Sequence, residues 1–142
     1  MSSQAAFRTG ARLSLATTAL LFGLIVIGSV VRTTDSGLAC PDWPLCQGRL
    51  IPPFQFNVLI EWFHRFTALV TSVMLFATVG WILIHPATRA RIGALAGLAL
   101  GLLFLQVLLG ALTVWKLLSP SVVSSHLAVA LLLFVTMLAL TL

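Results

Sequence analysis

Glu61-Trp62-Phe63-His64-Arg65 stands directly before residues 66–84, which contain no charged side chain. Together with the apolar residues upstream, this run is long enough to cross a bilayer, which needs about 20 mainly apolar residues in a helix. An acid, an imidazole and a guanidinium therefore lie in the first turns of a membrane helix. Charged groups cost about 2.5–3.5 kcal/mol each at the centre of such a helix, and less near its ends. Their presence here indicates a functional site.

The composition of the whole chain is that of a membrane protein. The 142 residues are 60% hydrophobic and 8% charged, whereas soluble domains contain about 25% charged residues. Mean hydropathy is +1.13. Each of four uncharged runs reaches the roughly 18 residues that mark a membrane span; they cover residues 13–31, 66–84, 92–115 and 117–142.

These runs predict an all-α integral membrane protein, built as one up-down-up-down four-helix bundle over residues 1–142. We expect helices at about 13–31, 58–84, 92–115 and 120–142, with a polar arm over residues 1–12. Residues 32–57 form the one long loop, and it contains four prolines and two cysteines. Loops of this length without regular structure are usually functional.

The charge distribution argues for a membrane orientation and against nucleic acid. The net charge is +5, but the basic residues are scattered singly at the helix ends, with no basic stripe interleaved with aromatic residues. Arg89 and Arg91 lie in the short second connection, and the cysteines lie on the other side. Because basic residues favour the cytoplasmic side, we expect both termini in the cytoplasm and the cysteine loop outside. The expected membrane is a prokaryotic plasma membrane. The first run is not followed by a small-x-small site, so we expect it to be retained.

Cys40 and Cys46 enclose Pro-Asp-Trp-Pro-Leu in the long loop. On an outer loop, a pair this close is expected to form a disulfide. Closing so short a ring constrains the unfolded chain by only about 2 kcal/mol, and exposed, strained disulfides are the labile ones. A structural disulfide and a redox-active pair therefore both remain open.

Two histidines are predicted to face each other across the bundle. His64 lies six residues past Val58, and His126 lies six past Pro120. At 1.5 Å per residue, each sits about 9 Å into its helix, and helices 2 and 4 of such a bundle run in the same direction. This spacing favours two axial ligands of one haem. Zinc would require further ligands.

Three neighbours complete the candidate site. Glu61 shares a helix face with His64; it either forms a helical pair with Arg65 or is a catalytic carboxylate that accepts a proton at the haem edge. Arg65 is a cofactor-binding candidate, through a haem propionate, unless it pairs with Glu61. Gln106 is a mid-membrane amide that either contacts the cofactor or bonds to another helix.

The glycines indicate helix packing. Gly23 and Gly28 lie in helix 1, where small residues let neighbouring helices approach. Gly93, Gly97 and Gly101 follow at four-residue spacing in helix 3. This ridge suits either a contact within the bundle or a contact with a second copy.

Four segments together resemble the haem A synthase family. They are Thr-Thr-Asp-Ser-Gly-Leu-Ala-Cys-Pro-Asp-Trp-Pro-Leu-Cys (33–46), Glu-Trp-Phe-His-Arg (61–65), Gln106 with Leu-Gly-Ala-Leu-Thr-Val (109–114), and Ser-His-Leu (125–127). Haem A synthase is a membrane enzyme that oxidises a methyl group of haem O to the formyl group of haem A. The resemblance implies that His64 and His126 are axial haem ligands, that Glu61 is the carboxylate of catalysis, and that Cys40 and Cys46 form the outer-loop disulfide.

The same resemblance implies the cofactors and partners. Haem O is expected as substrate, haem B as a possible resident haem, and no separate metal ion is expected. Expected partners are membrane lipid, haem O with the enzyme that produces it, and an electron acceptor; a homodimer is a further option. The family's usual form has eight helices and a second histidine pair, so this chain corresponds to an amino-terminal half or to a compact version.

Two other functions fit parts of the pattern. A bis-histidine cytochrome b electron carrier would have the same haem site, with no chemical role for Glu61. A quinone-linked thiol/disulfide oxidoreductase would use the cysteine loop, but it would leave the two membrane histidines without a purpose.

Overall fold

The computed structural model describes residues 2–141. Within them the chain forms four helices and no β-strand: α1 (Ser3–Thr33), α2 (Phe56–Ile84), α3 (Pro86–Trp115) and α4 (Pro120–Ala139). All four are long and apolar enough to cross a membrane. A membrane span must satisfy its backbone hydrogen bonds internally, which a helix does. The predicted all-α fold with four spans is therefore confirmed.

Consecutive helices pack side by side in opposite directions. Gly10, near the start of α1, lies against Trp81, near the end of α2, while Gly28, near the end of α1, lies against His64, near the start of α2. α1 also contacts α4 and α3, whereas within residues 2–141 no Cα atom of α2 lies within 8 Å of a Cα atom of α4. α2 and α4 are therefore diagonal in an up-down-up-down bundle. We call the end that carries residues 34–55 the loop end.

The start of α1 corrects the prediction of a polar arm over residues 1–12. Helix α1 begins at Ser3, and Met1 lies outside the described residues. Ala6, Gly10 and Ser14 are buried, and their four-residue spacing forms one stripe against the bundle. The indole N–H of Trp81 donates to the carbonyl oxygen of Ala6 at 3.1 Å. Packing on α2 thus extends the helix beyond its apolar run.

The connection between α2 and α3 is also shorter than predicted, because α3 begins at Pro86 and not near residue 92. Only His85 separates the two helices. The hydroxyl of Thr88 donates to the carbonyl oxygens of Ile82 at 2.8 Å and His85 at 3.0 Å. These bonds satisfy two of the last carbonyl groups around the end of α2, and proline suits the first position of α3.

The main apolar core lies in the half of the bundle away from the loop end. It joins the later parts of α2 and α4 to the middle of α3, and α1 contributes one leucine. His64 and His126 lie nearer the loop end, outside this cluster. The cluster consists of Leu21, Leu75, Val79, Ile82, Ala96, Ala99, Leu102, Leu103, Leu133, Met137 and Leu140.

The glycine ridge of α3 does not pack within the bundle. Gly97 and Gly101 are exposed, with nothing within 4 Å of the position that a Cβ atom would take. Gly93 contacts only side-chain atoms of Arg89 and Leu83. The option of an intramolecular contact along the whole ridge is therefore wrong.

Candidate functional site

Arg65 fixes the long loop onto α2. Its Nη1 donates to the carbonyl oxygens of Asp42 at 2.5 Å and Leu45 at 2.6 Å, and its Nη2 donates to that of Cys40 at 2.7 Å. Nη2 also donates to Oε1 of Glu61 at 2.5 Å, one helical turn away. Charge-assisted bonds of this kind are about twice as strong as neutral ones. Of the two alternatives for Arg65, the pairing with Glu61 is present.

Glu61 is buried, with 4% of its surface exposed, and both of its oxygens are bonded. Oε1 accepts from Arg65, and Oε2 accepts the backbone N–H of Cys40 at 2.7 Å. A buried carboxylate is tolerated when it is paired and hydrogen-bonded. In this conformation the carboxylate belongs to the contact between loop and helix, and each of its oxygens still has a second lone pair.

Cys40 and Cys46 form the predicted disulfide, with their Cα atoms 4.6 Å apart. Only 0% and 1% of the two residues is exposed, and they pack against Val58 at the start of α2. The sulfur atoms are thus shielded from thiols. Exchange at this disulfide requires the loop to open.

The Asp42 carboxylate organises the turn that follows Cys46. Oδ1 accepts the N–H of Gln47 at 2.6 Å, and Oδ2 accepts the N–H of Gly48 at 2.8 Å. The bond from Gly48, with further help from the bond from Gln47 and the charge of Arg65, lowers the pKa of Asp42 below its usual 3.8. The ionised carboxylate therefore stabilises this turn.

His64 is held against α1. Its Cε1 atom lies 3.1 Å from the position that a Cβ atom on Gly28 would take. The Nδ1 atom is buried and has no hydrogen-bond partner among the described residues. Because Gly28 lies near the loop end of α1, the His64 ring also lies near the loop end of the bundle.

His126 has equivalent surroundings on α3. Its Cε1 atom lies 3.3 Å from the Cβ position of Gly110, and its Nδ1 atom is buried without a partner in residues 2–141. The Nε2 atom lies 3.3 Å from the amide nitrogen of Gln106, which donates to it when Nε2 carries no proton. Of the two alternatives for Gln106, the bond to another helix is present.

Buried polar atoms without partners occur on α2, α3 and α4. Three of the four such side-chain atoms in the described residues are Nδ1 of His64, Nδ1 of His126 and Oε1 of Gln106. Leaving a buried polar group unpaired costs about 1–3 kcal/mol, so a group of three indicates a place for a polar or metal-containing ligand. Two imidazoles on diagonal helices form a donor set suited to haem iron. No group of three His, Cys, Asp or Glu side chains with metal-site geometry occurs between residues 2 and 141.

Two apolar grooves lie elsewhere, on the outside of the seam between α1 and α2. Their volumes are about 400 and 340 Å³, and both are lined by Ile27 and Phe63. None of the candidate site residues lines them. The candidate site is therefore identified by its nitrogen and oxygen donor atoms and not by a groove. The two grooves belong to the surface that faces lipid.

The contacts of Gly28 and Gly110 with the two histidines are not predicted by the sequence. The sequence predicts Gly28 only as a helix-packing residue, and it places Gly110 only in a motif of the resembling family. A glycine five residues before the end of both α1 and α3 is the signal that was available, but it does not reveal which side chain the glycine meets.

Comparison with known proteins identifies relatives over nearly the whole chain. Residues 11–57 and 53–142 match the COX15-CtaA family, described as cytochrome oxidase assembly protein. The chain is 32% identical over 131 residues to Heme A synthase of Bacillus licheniformis and 35% identical over 133 residues to Heme A synthase of Bacillus pumilus. Each match covers 92% of this chain and 43% of the relative.

A further relative is Protoheme IX farnesyltransferase 1 of Natronomonas pharaonis, which is 36% identical over 121 residues. This match covers 84% of the chain and 24% of that protein. The chain therefore spans less than half the length of these curated relatives. No solved structure matches it.

Proposed function

The chain belongs to the COX15-CtaA family, and we propose that it takes part in oxidising the methyl group of haem O to the formyl group of haem A. Two relatives named Heme A synthase support this reaction. The observation that carries the proposal is the pair of buried imidazoles near the loop end, His64 on α2 and His126 on α4, beside the unpartnered Oε1 atom of Gln106. The two imidazoles could hold a haem through its iron.

In this proposal the histidines hold the haem, and the haem supplies the iron and its redox chemistry when bound. His126 must release Gln106 before its Nε2 atom can bind iron. Glu61 is the one carboxylate within the membrane helices, since Asp35 and Asp42 both lie in the loop. Oxidation of a methyl group removes protons as well as electrons, so we assign Glu61 as a proton acceptor.

We further propose an orientation and a set of partners. The basic residues Arg8, Arg12, Arg89 and Arg91 lie at the end opposite the loop, which favours a cytoplasmic position for both termini and an outer position for the disulfide loop. The match to a protein named Protoheme IX farnesyltransferase 1 supports a partnership with the enzyme that makes haem O. The formyl group also needs an oxygen atom, which water supplies in this proposal. The conversion R–CH3 + H2O → R–CHO + 4 H+ + 4 e− then requires an electron acceptor. A second copy of this chain, in a homodimer, is a further proposed partner.

The test is expression together with a haem O supply, followed by extraction and chromatography of the bound haems. We expect the extract to contain haem A when the wild-type chain is expressed. Replacing His64 or His126 with alanine is expected to abolish haem binding. His85→Ala is the matched control, since this third histidine lies between α2 and α3 and its Nδ1 is 2.8 Å from the carbonyl oxygen of Trp81.

The outcomes separate the alternatives. Haem that is bound but never converted would favour the electron carrier. The hydrogen bonds of Glu61 to Arg65 and to the Cys40 N–H are also compatible with that function. A purified protein without haem would contradict the proposal and favour the thiol/disulfide oxidoreductase. Glu61→Gln should retain haem and lose conversion if Glu61 has the assigned role.

A further inference from the structure

The two helical hairpins of the bundle contain the same glycine–histidine contact. In the first hairpin, Gly28 lies five residues before the end of α1 at Thr33; in the second, Gly110 lies five residues before the end of α3 at Trp115. Each glycine meets the histidine in the early turns of the following helix. The bundle thus repeats one local arrangement around the candidate haem ligands.

At both glycines the imidazole ring lies closer to the Cβ position than most real Cβ contacts allow. From the Cβ position of Gly28, the Cε1, Nδ1 and Nε2 atoms of His64 are 3.1, 3.7 and 3.9 Å away. From that of Gly110, the Cε1 and Nδ1 atoms of His126 are 3.3 and 3.9 Å away. Optimal carbon–carbon contacts are about 3.5–4.0 Å. A methyl group at either position would push the ring away.

Both glycines are costly choices for a helix, since glycine is about 0.8–1.0 kcal/mol less favourable than alanine there. Gly23 of α1 and Gly101 of α3 have nothing within 4 Å of their Cβ positions. At Gly28 and Gly110, by contrast, the same edge of an imidazole fills that position. A side chain at either site would therefore displace the imidazole ring by a few tenths of an ångström.

We propose that Gly28 and Gly110 are positioning residues that set the ring orientation of His64 and His126 for iron binding. A metal-binding histidine usually has its ring fixed by a hydrogen bond from its other nitrogen. Here the Nδ1 atoms of both rings are buried without a partner among residues 2–141. Contact with the glycine backbone takes over that orienting role. The iron-binding part of this inference rests on the proposed function.

The first test uses the haem-free protein in detergent, with ¹³C-labelled histidine. The three Cε1–H resonances are assigned by replacing each histidine in turn. Gly28→Ala is expected to shift the His64 resonance and Gly110→Ala that of His126, while His85 is the internal reference. Gly23→Ala and Gly101→Ala are the matched controls and should shift none. An unmoved His64 signal in Gly28→Ala would overturn the contact, whatever the protein binds.

The second test uses the haem-loaded protein and follows haem retention together with the low-spin signal in electron paramagnetic resonance. Gly28→Ala and Gly110→Ala should shift the low-spin g values and weaken haem retention by about tenfold, the lower end of the range for residues around a metal ligand. The control variants should match the wild type. If wild-type protein shows low-spin haem and Gly28→Ala is identical to Gly23→Ala, the positioning role is wrong although the proposed function stands. Wild-type protein without low-spin haem overturns the proposed function and the iron-binding part of this inference together.

Misfolding is separated from ring displacement by a double variant. In the His64→Ala background, the ring that meets Gly28 is gone. Adding Gly28→Ala should then leave the melting temperature unchanged or raise it, whereas in the wild-type background it should lower it. An equal decrease in both backgrounds would show that the alanine disturbs helix packing and not the ring, and it would overturn the proposal.

Discussion

Arg65 links the membrane helix to the loop through four acceptors, and this explains why an arginine stands there. Three of them are loop carbonyl oxygens and one is the Glu61 carboxylate. The planar guanidinium presents five N–H donors in a fixed arrangement, whereas a lysine ammonium has three on a flexible stem. The residue therefore acts on the conformation of the loop as well as on the charge of Glu61.

Arg65→Lys is accordingly expected to loosen the loop while it keeps the charge. The loss of bonds to the partly buried guanidinium should cost about 2 kcal/mol, within the range for hydrogen bonds to charged groups. The measurement is the rate at which a phosphine reductant cleaves Cys40–Cys46 in the folded protein, which should rise. Arg49→Lys is the control because Arg49 is an exposed residue of the same loop. Equal rates in the two variants would contradict this role for Arg65.

The low pKa of Asp42 makes the same loop sensitive to acid. A folded-state pKa below the usual 3.8 means that the ionised carboxylate stabilises the turn above that value. The stabilisation is lost as the pH falls through the folded-state pKa. Reduction of the disulfide should therefore accelerate below about pH 4. In Asp42→Asn the disulfide should be reduced faster already at neutral pH, and its reduction rate should depend less on pH.

Asp35→Asn is the control for this pH series, because it removes another loop carboxylate, and it also corrects for the reductant's own pH dependence. A wild-type profile that matches Asp42→Asn throughout would show that the bonds to Gln47 and Gly48 do not stabilise the loop.

At the scale of the helices, the first turns of α1 depend on α2. The bond from Trp81 to the Ala6 carbonyl oxygen is 3.1 Å long, and Gly10 lies 3.6 Å, measured from its Cβ position, from the Trp81 ring. Trp81→Phe keeps an aromatic ring and removes the N–H donor, which is worth about 0.5–1.5 kcal/mol. Amide hydrogen exchange over residues 3–10 should become faster. Trp115→Phe, at the loop end of α3, should leave these amides unchanged, and faster exchange in both variants would exclude a specific effect of Trp81.

The four spans could be predicted from the sequence because a bilayer imposes a minimum length on each apolar run. The starts of α1 at Ser3 and of α3 at Pro86 could not be predicted from the sequence. Arg8 and Arg12 end the apolar run, yet they are exposed while Ala6 and Gly10 on the same turns are buried. A count of charges does not show on which face of a helix they lie.

The site was predictable where it depends on helix periodicity. The Glu61–Arg65 pair follows from their i, i+4 spacing, whereas the bond between Glu61 and the Cys40 N–H depends on a loop without a repeating pattern. The contact of Gly28 with His64 depends on which helices are neighbours. The pairing of His64 with His126 on one haem stays a prediction.

The molecule as a whole divides into two regions with different sources of stability. The apolar cluster on all four helices supports the end away from the loop. The level of the histidines instead contains small residues and unpartnered polar atoms. A ligand that binds there stabilises the folded state by mass action, so haem should add to the stability that the core provides.

Leu133→Ala tests this division, because Leu133 is fully buried in the core. Loss of its side chain should cost about 2–5 kcal/mol and lower the melting temperature in detergent equally with and without haem, since distant sites act additively. His126→Ala should have the opposite pattern: the melting temperature of the haem-free protein should change little, and adding haem should not raise it. Leu132→Ala, whose side chain is 52% exposed, is the matched control for the core. If Leu133→Ala abolished the increase caused by haem, the two regions would be one cooperative unit and the division would be wrong.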